Sequence, residues 1–507
     1  MVFIWALQPT ITMSKGIQTT LQYSLLFILI YLVVFLKLGS FHMRWWDESM
    51  FAVNTYEMLQ NEKWFSLYFD GIPDLYNTKP TLVSWIQILF VKIFGYNELA
   101  LRLPSAIAAC LSITLLFKFI AKHFDYLWAW TTALILLTSY GFIHFHTART
   151  ADSDSLLTFF ILISNLYFLE YILKPSSKYI LLFFLFITLA FSVKLYAALL
   201  FIPAYIIILI YKRLFKQFTF NWSFLFGLSF FIFTAGSLIY LREIDTPGYL
   251  DKILFSYVSI IISVVESHRE STFFYFDNLL NYRYSIWFVF AVFGIILTFF
   301  HPKNERKNIL LMCLLFICSY LTIIMISITK LEWYDMPLFP YLSILAAYPI
   351  YILINNTEVN GKTLSPLVKY FVLFVLTIYP YSIMFNKSQG NTIKSGEMEL
   401  EANEIFLFEK IKNNESVNNI KVFSDSWNGS LLFYKYKLAE LDQKIDIITN
   451  VNSITVNDRI LVCDEELKDQ LFKKFEITLI DNQHNSELFL VENNKQTPIY
   501  SLIPGTK

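Results

Sequence analysis

Long apolar runs separated by short polar turns constrain this chain more than any other feature. About 20 consecutive apolar residues cross the hydrocarbon of a bilayer. No water is available there, so a single segment must satisfy its own backbone, which forces it into a helix. Only 16% of the 507 residues are charged and 56% are hydrophobic, against about 25% charge in a soluble domain. Such runs recur roughly at 20–38, 99–120, 127–145, 154–173, 178–194, 196–211, 222–241, 284–300, 308–328, 337–354 and 366–385, which predicts about eleven spans. The stretch 178–211 is nearly continuous, with Lys194 near its middle and Pro203 beyond, and reads as a hairpin of two helices. Segment 80–95 is short and carries Lys92, which suits an interfacial helix. The run Leu21 to Leu36 lacks a small-residue cleavage site after it, so it reads as a retained helix.

Composition also excludes several classes. No basic stripe with interleaved aromatics is present, so nucleic acid is not expected as a partner. The four cysteines, Cys110, Cys313, Cys318 and Cys463, are scattered, with neither metal-ligand spacing nor a disulfide framework. Lys118/Lys122, Lys174/Lys178, Lys212/Arg213/Lys216 and Lys303/Arg306/Lys307 all fall on one side when the spans are threaded from an inside N-terminus. Basic loops face the cytoplasm. The 39–98 loop, the His144–Asp154 region, the 242–283 loop and the tail are then expected outside.

From about residue 386 the apolar runs shorten. Ile420–Ser424, Ile445–Ile448 and Arg459–Cys463 read as strands, and Leu431–Leu441 and Glu465–Phe475 as helices. Strand–helix alternation predicts a small α/β domain of about 110 residues. The expected architecture is mainly α: a polytopic helical domain over 1–385, whose 39–98 segment is the first outer loop, and an extracytoplasmic α/β domain over 386–507.

The candidate chemistry lies on the predicted outer face. Trp45-Trp46-Asp47-Glu48 follows the first run. Indoles favour the membrane–water interface, and adjacent carboxylates there suit work on a substrate that is part lipid and part polar. Asp and Glu also favour the first turn of a helix, which would explain the pair, and equally Asp152 and Asp154, without any chemistry. Acids could bind or deprotonate a hydroxyl. The outer-face cations Lys79, Arg149, Lys194, His268 and Lys330 could hold a phosphate. Lys194 lies between two apolar runs, where a charge is functional by default or snorkels to the headgroups.

These residues also carry a resemblance. Asp47-Glu48, Tyr56-Glu57-Met58-Leu59, Lys79-Pro80, Phe94-Gly95 and Arg102-Leu103-Pro104-Ser105 resemble the opening of the family C membrane glycosyltransferases, in the group of protein O-mannosyltransferases and aminoarabinose lipid A transferases. Ala148-Arg149 followed by Asp154 resembles that family's second acidic motif. Ser192-Val193-Lys194 stands where the family often has Thr-Lys-Gly, with Leu195 in place of the glycine. Glu266-Ser267-His268 resembles a Glu-Gly-His element, and Thr329-Lys330 with Tyr334, Pro337 and Pro340 resembles the last outer motif.

The resemblance implies an inverting transferase of the bacterial inner membrane that takes a sugar from a polyprenyl-phosphate carrier to a lipid, glycan or protein. Asp47 would orient or deprotonate the acceptor hydroxyl, with Glu48 and Asp154 assisting. Lys79, Lys194, Lys330 and Tyr334 would hold the phosphate, and Arg149, Asp152, Glu266 and His268 would contact substrate. No nucleotide-binding glycine loop is present, as a lipid-linked donor requires. No metal-ligand set is distinctive, although carboxylates could hold a divalent cation. The competing readings are a transporter or flippase of lipid-linked sugars and a catalytically silent scaffold. A transporter should show charges mid-helix and matching interrupted helices in two halves, and neither pattern is visible.

Overall fold

The computed structural model describes residues 14–144, 146–262, 268–359, 362–390 and 401–495, without the side chains of 15 and 256–262. The chain divides into two compact units: Met1–Phe41 with Asn54–Asn391, and His42–Val53 with Thr392–Lys507.

The first unit is helical. Among the described residues, eight helices are long and apolar enough to cross a membrane: Gly16–Phe35, Glu98–His123, Asp154–Leu173, Ser177–Leu199, Trp222–Asp245, Glu305–Ile326, Glu332–Asn356 and Pro366–Gln389. A further pair, Phe274–Arg283 and Ser285–Phe300, passes the same test only when taken together and is bent by 119°. The protein is a multi-pass membrane protein. Every expected run is helical, but two are too short to span alone: Tyr126–Leu137 has 12 residues and Ile202–Tyr211 has 10. At the end of the first, the Thr138 and Ser139 hydroxyls donate back to the carbonyls of Leu134 and Ile135. The 178–211 run does fold back on itself, since the Phe183 and Tyr205 rings lie 5.1 Å apart. Segment Leu82–Phe94 is a 13-residue helix closed by Gly95 at φ 78°.

Side-chain caps start several of these helices, as orphan N–H groups require. Asn97 accepts from Ala100 N, Asp125 from Trp128 N and Asn304 from Lys307 N. The core is aromatic. Phe201, Phe316, Tyr320 and Tyr341 pack ring against ring. A buried amide is tolerated within it because Asn165 donates to the Tyr341 hydroxyl at 2.6 Å and accepts from that of Tyr205 at 2.5 Å.

The second unit is α/β. Its strands are β1 (Ile420–Phe423), β2 (Ile445–Ile448), β3 (Arg459–Val462), β4 (Phe475–Gln483) and β5 (Ser486–Asn494), in the order β2-β1-β3-β5-β4. β1 pairs parallel with β2 and β3, while β5 pairs antiparallel with β3 and β4. The long hairpin β4–β5 has no counterpart in the sequence reading. Its two-residue turn is His484-Asn485, both at positive φ, which is a hairpin geometry normally signalled by Asn-Gly or Asp-Gly.

Residues 42–53 belong to this unit although they precede most of the membrane helices. His42 Nε2 lies 2.7 Å from Glu401 Oε2, and Trp45 N donates to Glu401 Oε1 at 2.9 Å. Met43 N donates to the Tyr434 hydroxyl at 2.9 Å. Trp46 stacks on Trp427 with centroids 5.1 Å apart, and the Trp45 indole donates to Glu404 at 3.2 Å. The two indoles, expected as interface anchors, are engaged with the α/β unit.

Glu404 is buried beneath this contact. Burial pushes its carboxyl up to about 7 from an ordinary 4.5, with the donors Ser430 and Trp45 opposing the shift. A carboxyl whose folded pKa is raised contributes stability that is complete below its unfolded pKa and is lost as pH rises through the folded one. Hydrogen exchange of helix Ala402–Lys412 in the intact protein should therefore slow as pH is lowered from about 8 to about 5, after correction for intrinsic exchange. Glu404→Gln, which can still accept from Ser430, should remove most of that dependence. Wild-type protection that is flat over this window would contradict the assignment.

Candidate functional site

Asp154 is the first residue of helix Asp154–Leu173, yet its carboxylate does not cap the helix. Oδ1 accepts from Lys194 Nζ at 2.7 Å, and both side chains are largely buried, at 3% and 13% exposure. The Lys194 ammonium lies 4.7 Å from the centre of the Tyr334 ring, a cation–π distance. Lys79 and Asp152 also act electrostatically on Asp154. Lys79, Asp152, Asp154, Lys194 and Tyr334, drawn from four parts of the sequence, thus form one cluster. Lys194 is partnered rather than snorkelling.

Lys194 ends its helix, and Leu195 follows at φ 29°. That is the left-handed side where glycine is favoured, at the position where the resembling family often has glycine. Leu195 is 5% exposed and packs with Tyr249 and Ile253, so its side chain offsets the strained backbone.

Arg242 organises the loop that carries Lys79. Its Nη1 donates to Lys79 O at 2.6 Å, and Nη2 donates to Asp74 O at 2.8 Å and Asn77 O at 2.6 Å. Its guanidinium lies 4.0 Å from the centre of the Tyr249 ring, whose hydroxyl donates to Thr78 O at 2.8 Å. Asp74 Oδ1 accepts from Tyr76 N and Asn77 N. Asn54 bridges Asp74 and Asn77. The sequence reading missed Arg242 because an Arg at a helix end looks like an ordinary interfacial charge.

Two more arginines hold backbone. Arg102 Nη1 donates to Leu38 O and Phe41 O at 3.0 and 2.9 Å. Arg149, expected against substrate, donates to Val33 O, Val34 O and Leu36 O at 2.9, 2.8 and 3.1 Å. It satisfies the carbonyls at the end of the first span, where a cation also complements the helix dipole. Ser105 Oγ donates to Asp152 O, and Gln87 Nε2 to Ala151 O, which fixes the approach to Asp154. Asp152 itself is buried, with a carboxylate oxygen 3.3 Å from His146 Nδ1. His146 has φ 56° and stacks on Trp333 at 3.7 Å. Neither His146 nor Trp333 was singled out in the sequence.

Lys330 lies in a carbonyl cradle. Its Nζ donates to Ser327 O at 2.5 Å and Glu270 O at 3.4 Å. Burial pushes its pKa down, opposed by Glu270. His268 is exposed and accepts from Lys330 N through its carbonyl. Glu266 lies outside the described residues. Asp47 and Glu48, which belong to the second unit, open helix Asp47–Asn61, and Glu48 Oε2 accepts from Arg44 N at 3.0 Å, as a capping side chain does. The preceding residue, Trp46, has φ 61°. A buried ion pair is also new: Arg283 Nε and Nη2 donate to Asp335 at 2.9 and 2.8 Å.

This arrangement has known counterparts. Residues 78–240 match the sequence profile of the family described as dolichyl-phosphate-mannose-protein mannosyltransferase. A Bacillus subtilis protein, YycA, described provisionally as a mannosyltransferase, is 28% identical over 174 residues, or 34% of this chain and 25% of that one. The undecaprenyl phosphate-α-4-amino-4-deoxy-L-arabinose arabinosyl transferase of Pseudomonas savastanoi pv. phaseolicola is 33% identical over 118 residues, 23% of this chain and 21% of that one. The chain thus matches about a quarter or less of the length of these two relatives. The crystal structure of ArnT from Cupriavidus metallidurans bound to undecaprenyl phosphate superposes with a TM-score of 0.68 at 13% identity, covering 94% of this chain and 98% of that one. The fold is that of ArnT. The segment that matches the mannosyltransferase family model carries Lys79, Asp154 and Lys194.

Leu195→Gly tests the balance at the turn after Lys194. Relieving the left-handed backbone gains about 1–2 kcal/mol, whereas truncating a buried Leu costs about 2–5 kcal/mol. Net destabilisation of about 1–3 kcal/mol is expected from unfolding of the detergent-solubilised protein. A stabilised variant would show that strain outweighs packing there.

Proposed function

We propose that this chain transfers a sugar from a polyprenyl-phosphate carrier to a lipid, glycan or protein acceptor on the outer face of the bacterial inner membrane, inverting the anomeric centre. The observation that carries the reading is the cluster of Lys194, Asp154 and Tyr334, with the Lys79 charge acting on the same carboxylate. Cations placed at helix ends suit a lipid phosphate. The alternating basic loops support an outer-side placement of these helix ends.

In the proposed reaction an acceptor oxygen attacks the anomeric carbon from the face opposite the phosphate. The carbon–oxygen bond to the phosphate breaks and the electron pair leaves with it. Fixed positive charge that stabilises the departing phosphate supplies much of the acceleration, and Lys79 and Lys194 are the groups given that task. Tyr334 shapes the Lys194 side. The acceptor proton passes to Asp47, the role that the family resemblance assigns to it. Lys330, Asp152, His146 and Arg242 position the parts rather than react.

Asp47→Asn should lower turnover by about two orders of magnitude or more, the usual scale of a general base, with donor binding little changed. Turnover within a few-fold of wild type would leave Asp47 a structural residue. Lys194→Met alone is a poor test, because it strands Asp154, and breaking a buried pair costs about 3–5 kcal/mol. The double variant Lys194→Met/Asp154→Asn removes both charges. Its donor KM should rise about ten- to a hundredfold, in keeping with about 1.5–3 kcal/mol for a charge-assisted contact, while acceptor KM changes little. An unchanged donor KM in a folded double variant would remove Lys194 from the phosphate site.

A further inference from the structure

The second unit contains a polar crevice of about 650 Å³. Its location follows from the sheet. The chain leaves β1, forms helix Gly429–Ala439, returns as β2 on one side of β1, and then supplies β3 on the other side. β1, β2 and β3 are parallel, so the connections from the carboxyl ends of β1 and β3 diverge. In open α/β sheets such a switch point leaves a ligand crevice outside the strand ends. The cavity lies there: Ser424, Asp425 and Ser426 directly follow β1, and Cys463 and Asp464 directly follow β3. Topology and cavity are independent observations that give one location.

The lining restricts what the crevice can take. Asp425, Asp464, Glu466 and Glu487 face a single basic side chain, Lys468. That lysine is already bound by Glu465 at 2.9 Å and Glu487 at 3.2 Å. The N-terminus of helix Glu465–Lys474 is capped by Asp464 and carries Glu465 and Glu466 in its first turn. A phosphate or carboxylate ligand would meet net repulsion from these carboxylates. Among the described residues, the crevice holds no group of three ligand atoms close enough for a metal ion. Burial pushes the Cys463 thiol up to about 12, so it is not a thiolate nucleophile. What remains is a set of carboxylates, hydroxyls and the amide side chains of Asn482 and Asn485. These accept from many donors at once in a space suited to a small organic ligand.

We propose that this crevice binds a saccharide bearing amine groups, with hydroxyls on the Ser424–Ser426 and Asn482–Asn485 edges and ammonium groups on the Asp425 and Glu466 carboxylates. The site lies wholly within the second unit. Its test reads binding rather than turnover, so it stands or falls apart from the transferase reading.

The test is calorimetric titration of the intact, detergent-solubilised protein with four probes: a glucosamine tetramer, its fully N-acetylated form, a galacturonate tetramer and tetralysine. The glucosamine tetramer should bind. The N-acetylated form should bind about tenfold or more weakly, the loss of one charge-assisted contact. Galacturonate should not bind. Asp425→Lys and Ser426→Trp, both at exposed positions, should each weaken the glucosamine tetramer at least about tenfold, with the unfolding temperature unchanged. Failure of the glucosamine tetramer to bind overturns the proposal. Equal binding of tetralysine also overturns it, because charge alone would then suffice. Binding that survives both substitutions overturns the location.

Discussion

The ion pair of Lys194 with Asp154 is the interaction on which the candidate site depends. An ammonium between two apolar runs and a carboxylate at the head of a span are each costly to bury alone. Paired at 2.7 Å, they fix the end of one helix against the start of another and keep two charges where solvent is scarce. The pair explains why Asp154 does not act as a helix cap and why Lys194 does not reach for the membrane surface. The Tyr334 ring over the ammonium adds a face that draws in positive charge without neutralising it.

The other buried cations follow the same rule by a different route. Arg242, Arg102 and Arg149 are answered mainly by backbone carbonyls rather than carboxylates. A planar guanidinium can hold several carbonyls at once, so each arginine turns an irregular stretch of chain into a fixed one. Arg242 sets the 74–79 loop, while Arg102 and Arg149 set 33–41. This gives the Arg-Leu-Pro-Ser motif a physical meaning: Arg102 grips the carbonyls after the first span, and Ser105 grips the peptide of Asp152. The Asp335–Arg283 pair holds the bent helix pair in the same way, with Gly141 opposite, where a Cβ would lie 2.8 Å from the Arg283 Nε.

The second unit has its own logic. A short segment from early in the chain, His42–Val53, is held by Glu401, Glu404, Tyr434 and Trp427. Glu404 accepts from Trp45 and Ser430 because an unanswered buried carboxylate would be too costly, and its raised pKa records that cost. Gly429 is required beside Trp427, since a Cβ there would fall 2.2 Å from the indole. The strain at Trp46 is tolerated by the same stack.

The sequence by itself determined the apolar helices and three strands of the tail, and it offered candidate charges for the site. Each rests on a local signal: run length, strand–helix alternation, or a charge at the end of an apolar segment. It also marked Leu195 as the place where a glycine is missing, and the backbone there is indeed left-handed. It could not show that Tyr126–Leu137 stops after 12 residues, because apolar character continues past the break. Nor could it assign partners. Arg149 and Lys194 look alike in the sequence, as single cations near helix ends, yet one grips carbonyls 113–116 residues away and the other a carboxylate 40 residues away. Residues 42–53 read as part of a membrane loop until tertiary contacts give them to the α/β unit. Local pattern decides which segments can exist as helices or strands. Which buried charge meets which oxygen is decided only when those segments pack, because desolvation is paid by long-range partners.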